Sequence, residues 1–515
     1  MKIKLLTTLT VAGLMAASLL APAYAEQEKS IFEQAATAAK QSAKDFKPAS
    51  EKTKTRFGSL EFPGGYPTEE TSQKVYDELD LQRATQLYLD MYPALSMRGM
   101  MLGTARDYGA HNSSDISVTA DRLDSSAMWL TGNTESIYAM IVFDLKVDGP
   151  TVFEAPAGLM GPVDDANFLF AFDIGPTGMD KGKGGKYLIL PPGYKGDVPD
   201  GYFVFKSPTN RLFSFVRANA EVVGTGEKAM EFFRKNCAVY PLKTGPRKGT
   251  FTNVSGVPIN TLVPEDATAF EWMHDIINYE PAEAFGKEKL GRLASIGIIK
   301  GKPFNPDARM KKIMEQAAKE GVAMSRVIAF NTRVENAKVY PGREWESPYV
   351  INNSTFYQND YINLEARTVF HFTADGITPA MSMEMPEGLG SRYQTAYKDK
   401  DGNFFEGNKT YKLNIPPNVP VKLFWSVTVY DTYTRAVVQT QPYPSISSQQ
   451  TPAPVVNEDG SIEIYFSVKQ PEGVEKQNWV EVIPNLGFFV YMRYYGPLNA
   501  FNKKEWIPNN VELVK

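Results

Sequence analysis

The spacing of apolar residues changes several times along the chain. Residues 26–56 are rich in Ala, Gln and Lys with few large apolar groups, which predicts a loose helix or a disordered lead-in. Pro63-Gly64-Gly65-Tyr66-Pro67 then breaks the chain. Ala84, Leu87, Tyr88 and Met91 recur at helical spacing, so a helix is predicted from about 68 to 91, with Pro93 as its stop. From about 100 to 220 the period shortens to that of strands. Residues 137–145, 168–174, 187–190, 202–205 and 212–216 are short, aromatic and β-branched, and Gly, Pro and Asp separate them. This spacing predicts a β-sandwich. Helical spacing returns from about 225 to 330. Ala229, Phe232, Phe233 and Cys237 share one face, as do Phe270, Met273, His274 and Ile277, and then Met310, Ile313, Met314 and Ala317. Asp307 should open the last of these helices and Gly321 end it. From about 345 strands return. Val421, Leu423, Trp425, Val427 and Val429 alternate with a half-polar set, and Asp401-Gly402 and Asp459-Gly460 are hairpin-type turns.

The pattern therefore predicts a mainly β fold with an α insert. Residues 26–98 are a lead-in and helix, 99–224 an N-terminal β-sandwich, 225–344 a helical middle segment, and 345–515 a C-terminal jelly-roll β-sandwich. Aromatics at 12% and 35 prolines agree with strands and many turns.

The first residues change the picture of where the chain works. Lys2 and Lys4 precede an uncharged apolar stretch from Leu5 to Leu20, and Ala23-Tyr24-Ala25 is a small-x-small site. This is the layout of a cleavable signal peptide over residues 1–25. The apolar run of about 16 residues is shorter than the ~20 that a spanning helix needs. The expected location is outside the cytoplasm, periplasmic or extracellular, with no stable membrane insertion after cleavage. Removing Lys2 and Lys4 takes the formal charge from −4 to −6, which argues against nucleic acid as a partner. Cys237 is the single cysteine, so no intrachain disulfide can form.

Several stretches resemble a known family. Leu130-Thr131-Gly132-Asn133-Thr134-Glu135, and the run from Asp180-Lys181-Gly182-Lys183 to Pro191-Pro192-Gly193-Tyr194, are similar to the N-terminal half of bacterial exported proteins that pair a DUF1254 with a DUF1214 domain. Phe424-Trp425-Ser426-Val427-Thr428-Val429-Tyr430-Asp431 with Thr434-Arg435, Asn478-Trp479, and Arg493-Tyr494-Tyr495-Gly496-Pro497 resemble the DUF1214 core. The resemblance runs from about residue 55 to the C-terminus. It implies a sandwich, a helical insert and a jelly roll, and it carries no catalytic residues with it. The paired sandwiches are also similar in layout to bacterial-type peptide N-glycanases, a likeness of fold alone. At Glu135 many family members have the shorter acid.

Candidate chemistry is sparse. His111, His274 and His371 form no ligand motif, so neither metal nor cofactor is expected. His274 lies on an apolar helix face and reads as a core histidine. His371, in a strand expected over 368–373, fits either core or cleft. The run from Asp399 to Asn403 echoes part of a calcium loop but reads as a plain turn. Cys237 reads as a buried thiol. The Lys181–Lys186 loop, with Lys183 at its centre, is either an anion-binding nest or a solvated hairpin.

What remains is carboxylates among aromatics. Glu135, Asp165 and Asp431 are the candidate catalytic acids. Asn133, Tyr138, Lys183, Arg392, Tyr393, Trp425, Arg435 and Arg493 are the candidate substrate-binding residues. Paired carboxylates serve glycoside or amide hydrolysis, and aromatic platforms suit sugar faces. The plainer reading is that the aromatics are core and that Asp431 pairs with Arg435 across a turn. Two functions stay open. One is a hydrolase acting on glycans or glycan-linked amides. The other is a non-catalytic envelope protein that binds a carbohydrate or peptide-derived ligand or assembles as a homo-oligomer.

Overall fold

A computed structural model describes residues 29–31, 33–41, 50–247 and 249–514. The signal peptide expected over residues 1–25 lies outside the described residues. The chain divides into two units, 1–78 and 79–515. In the first, Lys52–Thr55 and Gly58–Glu61 pair as an antiparallel hairpin. The helix Glu69–Tyr108 starts after Thr68, whose Oγ1 accepts from the Thr71 N–H at 3.2 Å.

That helix passes through Pro93 instead of ending there. A proline inside a helix costs roughly 3 kcal/mol, through one lost hydrogen bond and a steric clash. Ala94, Leu95, Met97 and Met100 beyond it are all 3% exposed or less. Burying a large apolar side chain returns about 1.5–3 kcal/mol. Packing beyond the proline therefore outweighs the break.

In the second unit the rest of that helix is followed by a sandwich. Its larger sheet runs, in spatial order, Thr250–Asn253, Asp115–Val118, Ile137–Asp144, Arg211–Ala218, Leu159–Asp165, Phe170–Ile174. Its smaller sheet runs Phe203–Lys206, Gly184–Leu190, Thr151–Pro156, Ala238–Pro241. Ala238–Pro241 and Thr250–Asn253 come after residue 224, so the sandwich takes two strands from the stretch where helices dominate the sequence pattern. Between the sheets lie Ile137, Ala139, Ile141, Phe143, Leu212 and Val216, every second residue of the two central strands.

The helical segment packs Thr268–Tyr279, Lys287–Ser295 and Ala308–Phe330 around the long helix. Asp307 caps the last of these, accepting from Met310 N–H, as its position in the sequence predicts. Gly321 does not end that helix. A Cβ there would meet the Tyr88 ring at 2.5 Å, so glycine lets the helix pack close against Tyr88 of the long helix. Thr368–Thr373 is helical and not a strand, part of the helix Leu364–Thr373 that Asn363 caps. Its β-branched residues mimic a strand, but the cap and burial decide. His371 is a core residue against Phe168, Phe356 and Phe370. Burial, and then Arg367, push its pKa down to about 3, so it is neutral.

The C-terminal sandwich pairs the sheet Trp345–Glu346, Ser391–Ala396, Phe488–Pro497, Val421–Asp431, Ser445–Ser447 with the sheet Trp479–Glu481, Ile462–Ser467, Tyr411–Ile415, Val511–Leu513. Mainly β architecture with a helical middle segment and two sandwiches is thus what the chain forms. Val421–Asp431 is not half solvated, as alternation predicts. From Phe424 onward it is buried on both faces, and so is all of Phe488–Pro497. Among the described residues no helix is long and apolar enough to cross a membrane.

Two outcomes test this packing. Arg435 is buried, with Nε donating to Phe372 O at 3.2 Å, Nη2 to Tyr92 Oη at 3.1 Å and Nη1 to Glu265 at 3.1 Å and to Tyr433 O. Removing Arg435 leaves Phe372 O without its donor, at about 1–3 kcal/mol, and opens a void, so Arg435→Ala should lose roughly 2–4 kcal/mol in urea unfolding. A loss below about 1 kcal/mol, the scale of an exposed pair, would mean that Arg435 does not pin the segment. Glu280, at the end of the helix Thr268–Tyr279, has its pKa raised to about 7 by burial, against the pull of the Asn210 N–H. Between its ordinary value near 4.5 and about 7, the folded state holds a proton that the unfolded chain releases. Stability therefore falls as pH rises through that window. Glu280→Gln should gain on wild type by on the order of 1–3 kcal/mol from pH 5 to 8. A pH-independent difference between the two would contradict this.

Candidate functional site

Because side chains alternate along strands, each central strand presents a second face opposite its core. On Ile137–Asp144 and Arg211–Ala218 that face carries Tyr138, Met140, Phe213, Phe215 and Arg217, and Arg217 pairs with Tyr138 in register. On the C-terminal sheet it carries Tyr393, Ser426, Thr428, Tyr430, Tyr491, Arg493 and Tyr495. The two faces turn toward each other and enclose a cavity of about 430 Å³. This lies within the usual range for small-molecule sites. Exposed Val222, Lys422, Leu423 and Gln449 line it too and mark its solvent side.

The loop 129–136 forms one wall, and the C-terminal half holds it. Arg493 Nη2 donates to Thr131 O at 2.7 Å, Tyr430 Oη donates to Gly132 O at 2.7 Å, and Thr131 N–H donates to Arg435 O at 2.8 Å. Thr131 and Arg435 both sit at positive φ, 41° and 60°, so this junction holds two non-glycine residues in a disfavoured conformation. Asn133 orders the rest of the loop. Its Nδ2 donates to Ser136 Oγ at 3.2 Å and Tyr138 Oη at 3.1 Å, and its Oδ1 accepts from Glu135 N–H at 2.9 Å.

A second wall is the segment 374–378. Gly376, at φ 77°, lies so close to Phe215 that a Cβ would meet its ring at 2.0 Å. Ile377 N–H donates to Asp164 Oδ2 at 3.0 Å, and Thr378 Oγ1 donates to Asp173 Oδ2 at 2.8 Å. Asp173 and Asp375 face the cavity. Burial raises the pKa of both. Hydrogen bonds from Thr378 and Thr177 moderate the shift at Asp173, and that from Ser96 does so at Asp375, which reaches about 7.

Two guanidinium groups stand on the cavity wall. Arg493 donates from Nη1 to Thr428 Oγ1 at 3.2 Å and lies 5.5 Å from the Tyr393 ring centre and 5.2 Å from that of Tyr491. Arg217 crosses to the other sheet, donating from Nη2 to Ser391 Oγ at 2.8 Å, 5.1 Å from the Tyr495 ring centre. Burial works against both charges. The tyrosine oxygens around them offset it, chiefly Tyr430 for Arg493 and Tyr393 for Arg217, and keep both pKa values above the ordinary one.

Of the residues singled out in the sequence, the cavity gathers Asn133, Glu135, Tyr138, Tyr393 and Arg493. Glu135 also faces Arg122 at 3.9 Å. The other two candidate acids are elsewhere and serve turns. Asp165 Oδ1 accepts from the N–H groups of Asn167 and Leu169, and Asp431 Oδ1 from those of Tyr433 and Thr434. The three candidate catalytic carboxylates are therefore not brought together. Trp425 points into the C-terminal core, one residue out of phase with the cavity face. Arg392 alternates with Tyr393 and donates to Asn352 at 3.1 Å. Arg435 lies behind the wall it supports. Lys183 is exposed, and the amides of its loop already have an anion. Asp180 accepts from Gly175 N–H at 2.8 Å, Gly184 N–H at 2.9 Å and Tyr187 Oη at 2.9 Å.

Sequence reasoning misses Arg217, Asp375, Ser391 and Tyr495. The signal for Arg217 is its place between core residues Val216 and Ala218, which reads as an ordinary solvent face until a second sheet covers it. Among the described residues no three His, Cys, Asp or Glu side chains converge as a metal site. Asp399 organises a turn, accepting from Asp401 and Asn403 N–H groups. Cys237 is a buried thiol whose pKa burial raises.

One solved structure agrees with this architecture. A crystal structure of the VPA0106 protein from Vibrio parahaemolyticus is similar in fold, with a TM-score of 0.50 and 17% identity over 85% of this chain and 100% of that one. A structure of an uncharacterized protein from Burkholderia cenocepacia overlaps 86% of this chain and 97% of its own, with a TM-score of 0.37 and 10% identity. No curated protein matches the chain in sequence. Residues 115–241 match the model described as a protein of unknown function, DUF1254, and residues 390–499 the one described as a protein of unknown function, DUF1214. The cavity lies between these two regions, and the chain carries a DUF1254 domain followed by a DUF1214 domain.

Proposed function

We propose that this protein is exported and that it binds a small organic molecule in the cavity between its two sandwiches. The observation that carries this reading is the convergence of Asn133, Tyr138, Arg217, Tyr393 and Arg493 on one apolar-walled space of about 430 Å³. Few polar groups set in an apolar wall fix a ligand's orientation while the wall supplies affinity. A carbohydrate or peptide-derived molecule is compatible with the tyrosine-rich wall.

Hydrolysis of a glycan or glycan-linked amide is the second reading, and one observation favours it. Asp173 and Asp375 both face the cavity with raised pKa values, and a carboxyl that keeps its proton can serve as a general acid. Binding stands first because Asp165 and Asp431 spend their oxygens on turn amides.

Three outcomes follow. The mature protein taken from cells should begin at Glu26 by N-terminal mass spectrometry; a mature chain retaining Met1 would contradict export. The neutral fluorophore N-phenyl-1-naphthylamine should bind one per chain. Met160→Trp, which adds bulk on the cavity face, should weaken it by about tenfold, the equivalent of about 1.4 kcal/mol. Equal binding by both would place the probe elsewhere. For the second reading, Asp173→Asn and Asp375→Asn should each cut turnover of a glycoside or N-linked glycopeptide by about a hundredfold or more while the fluorophore still binds. Wild-type protein without turnover on such substrates would remove it.

A further inference from the structure

We infer that the cavity selects a ligand carrying an oxyanion, a carboxylate or a phosphate, which Arg217 and Arg493 hold between the two sheets. This rests on the reading of the cavity as a binding site and names the chemical class of its ligand.

The inference starts from charge. A buried guanidinium normally has a carboxylate partner, because an uncompensated charge away from water is costly. Arg435 has Glu265, and Arg367 has Asp90 at 3.0 Å. Among the described residues no carboxylate lies within ion-pair distance of Arg217 or Arg493, although Arg493 is only 4% exposed. The carboxyl groups on the same cavity wall each have other partners; Asp173 feels the charge of Arg217 from beyond ion-pair distance, and Asp173 Oδ1 and Asp375 Oδ2 stay without a hydrogen bond among the described residues. Glu135 faces Arg122, Asp173 accepts from Thr177 and Thr378, and Asp375 accepts from Ser96.

The two arginines approach from opposite sheets toward one set of rings. Ser391, the acceptor of Arg217, is opposite Tyr495 in register, and Tyr393, two residues on, is opposite Arg493. Tyr393 and Tyr495 act on both guanidinium groups. They accept hydrogen-bond and cation–π contacts but bring no negative charge of their own at neutral pH. Lys422 adds a third cation on the exposed side. A planar guanidinium matches the two oxygens of a carboxylate or phosphate, and such charge-assisted bonds are strongest out of water.

The test compares 2-naphthoate and 2-naphthyl phosphate with the neutral 2-naphthalenemethanol, by titration calorimetry on the full chain. At least one anion should bind about tenfold or more tightly than the alcohol, and the tighter one identifies the headgroup class. Arg217→Gln should abolish that preference and leave the alcohol's affinity within about threefold. Arg217 contacts Ser391, Tyr393 and Tyr495 and not the loop 129–136, so this variant tests recognition without the loop anchor. Arg217→Lys should restore part of the preference. Arg493→Gln is expected to act likewise, with circular dichroism to establish that it folds. If the alcohol binds as tightly as both anions, or if the preference survives Arg217→Gln, the arginine inference fails while the cavity remains a binding site. If none of the three probes binds, both readings fail.

Discussion

Arg493 Nη2 and the carbonyl oxygen of Thr131 meet at 2.7 Å, and that bond lies where the two sandwiches become one body. A backbone carbonyl removed from water needs a donor, and a guanidinium removed from water needs acceptors. Each supplies what the other lacks. Tyr430 donates to the next carbonyl, that of Gly132, and the Arg435 carbonyl accepts from the Thr131 N–H, so two consecutive residues of one loop are bonded three times by the opposite half. With the loop fixed, the outer faces of two sheets are held together, and neither can be a solvent face.

The cavity is a consequence of that constraint. Both outer faces carry polar side chains among apolar ones, Tyr138 and Arg217 on one and Ser426, Thr428 and Arg493 on the other, and close packing throughout would strand them. Large residues fill much of the space, as where Gly376 is pressed against Phe215. What remains open is bordered by two arginines without a carboxylate partner and by Tyr491 and Tyr495, whose hydroxyls have no hydrogen-bond partner among the described residues. The aspartates that line it, Asp173 and Asp375, have pKa values raised by burial, which weakens their hold on a positive charge. The interior therefore favours a bound negative charge over a second positive one.

Much of the fold was legible in the chain because strand and helix periods are local. The strands Ile137–Asp144 and Arg211–Ala218 lie within one or two residues of where alternation places them, and Asp307 opens its helix. Failures came where distant packing overrode local preference, at Pro93, at Gly321 and in Leu364–Thr373. The candidate site was half legible. Asn133, Glu135 and Arg493 lie in family-like motifs, and Tyr138 and Tyr393 stand out as aromatics beside charged residues; all five line the cavity. Those motifs sit together because Leu130–Glu135 docks on Tyr430, Arg435 and Arg493. Trp425 was misread because one residue's shift in a strand reverses its face. Arg217 was missed because no local pattern says that an outward face will be covered.

The claim that the two arginines and the junction loop frame a ligand site is tested most directly by a crystal structure of the protein purified natively from its host. The expected result is an organic molecule between the sheets, with oxygen atoms within hydrogen-bond distance of Arg217 and Arg493. A cavity closed by its own side chains, with either arginine paired to a protein carboxylate, would contradict it.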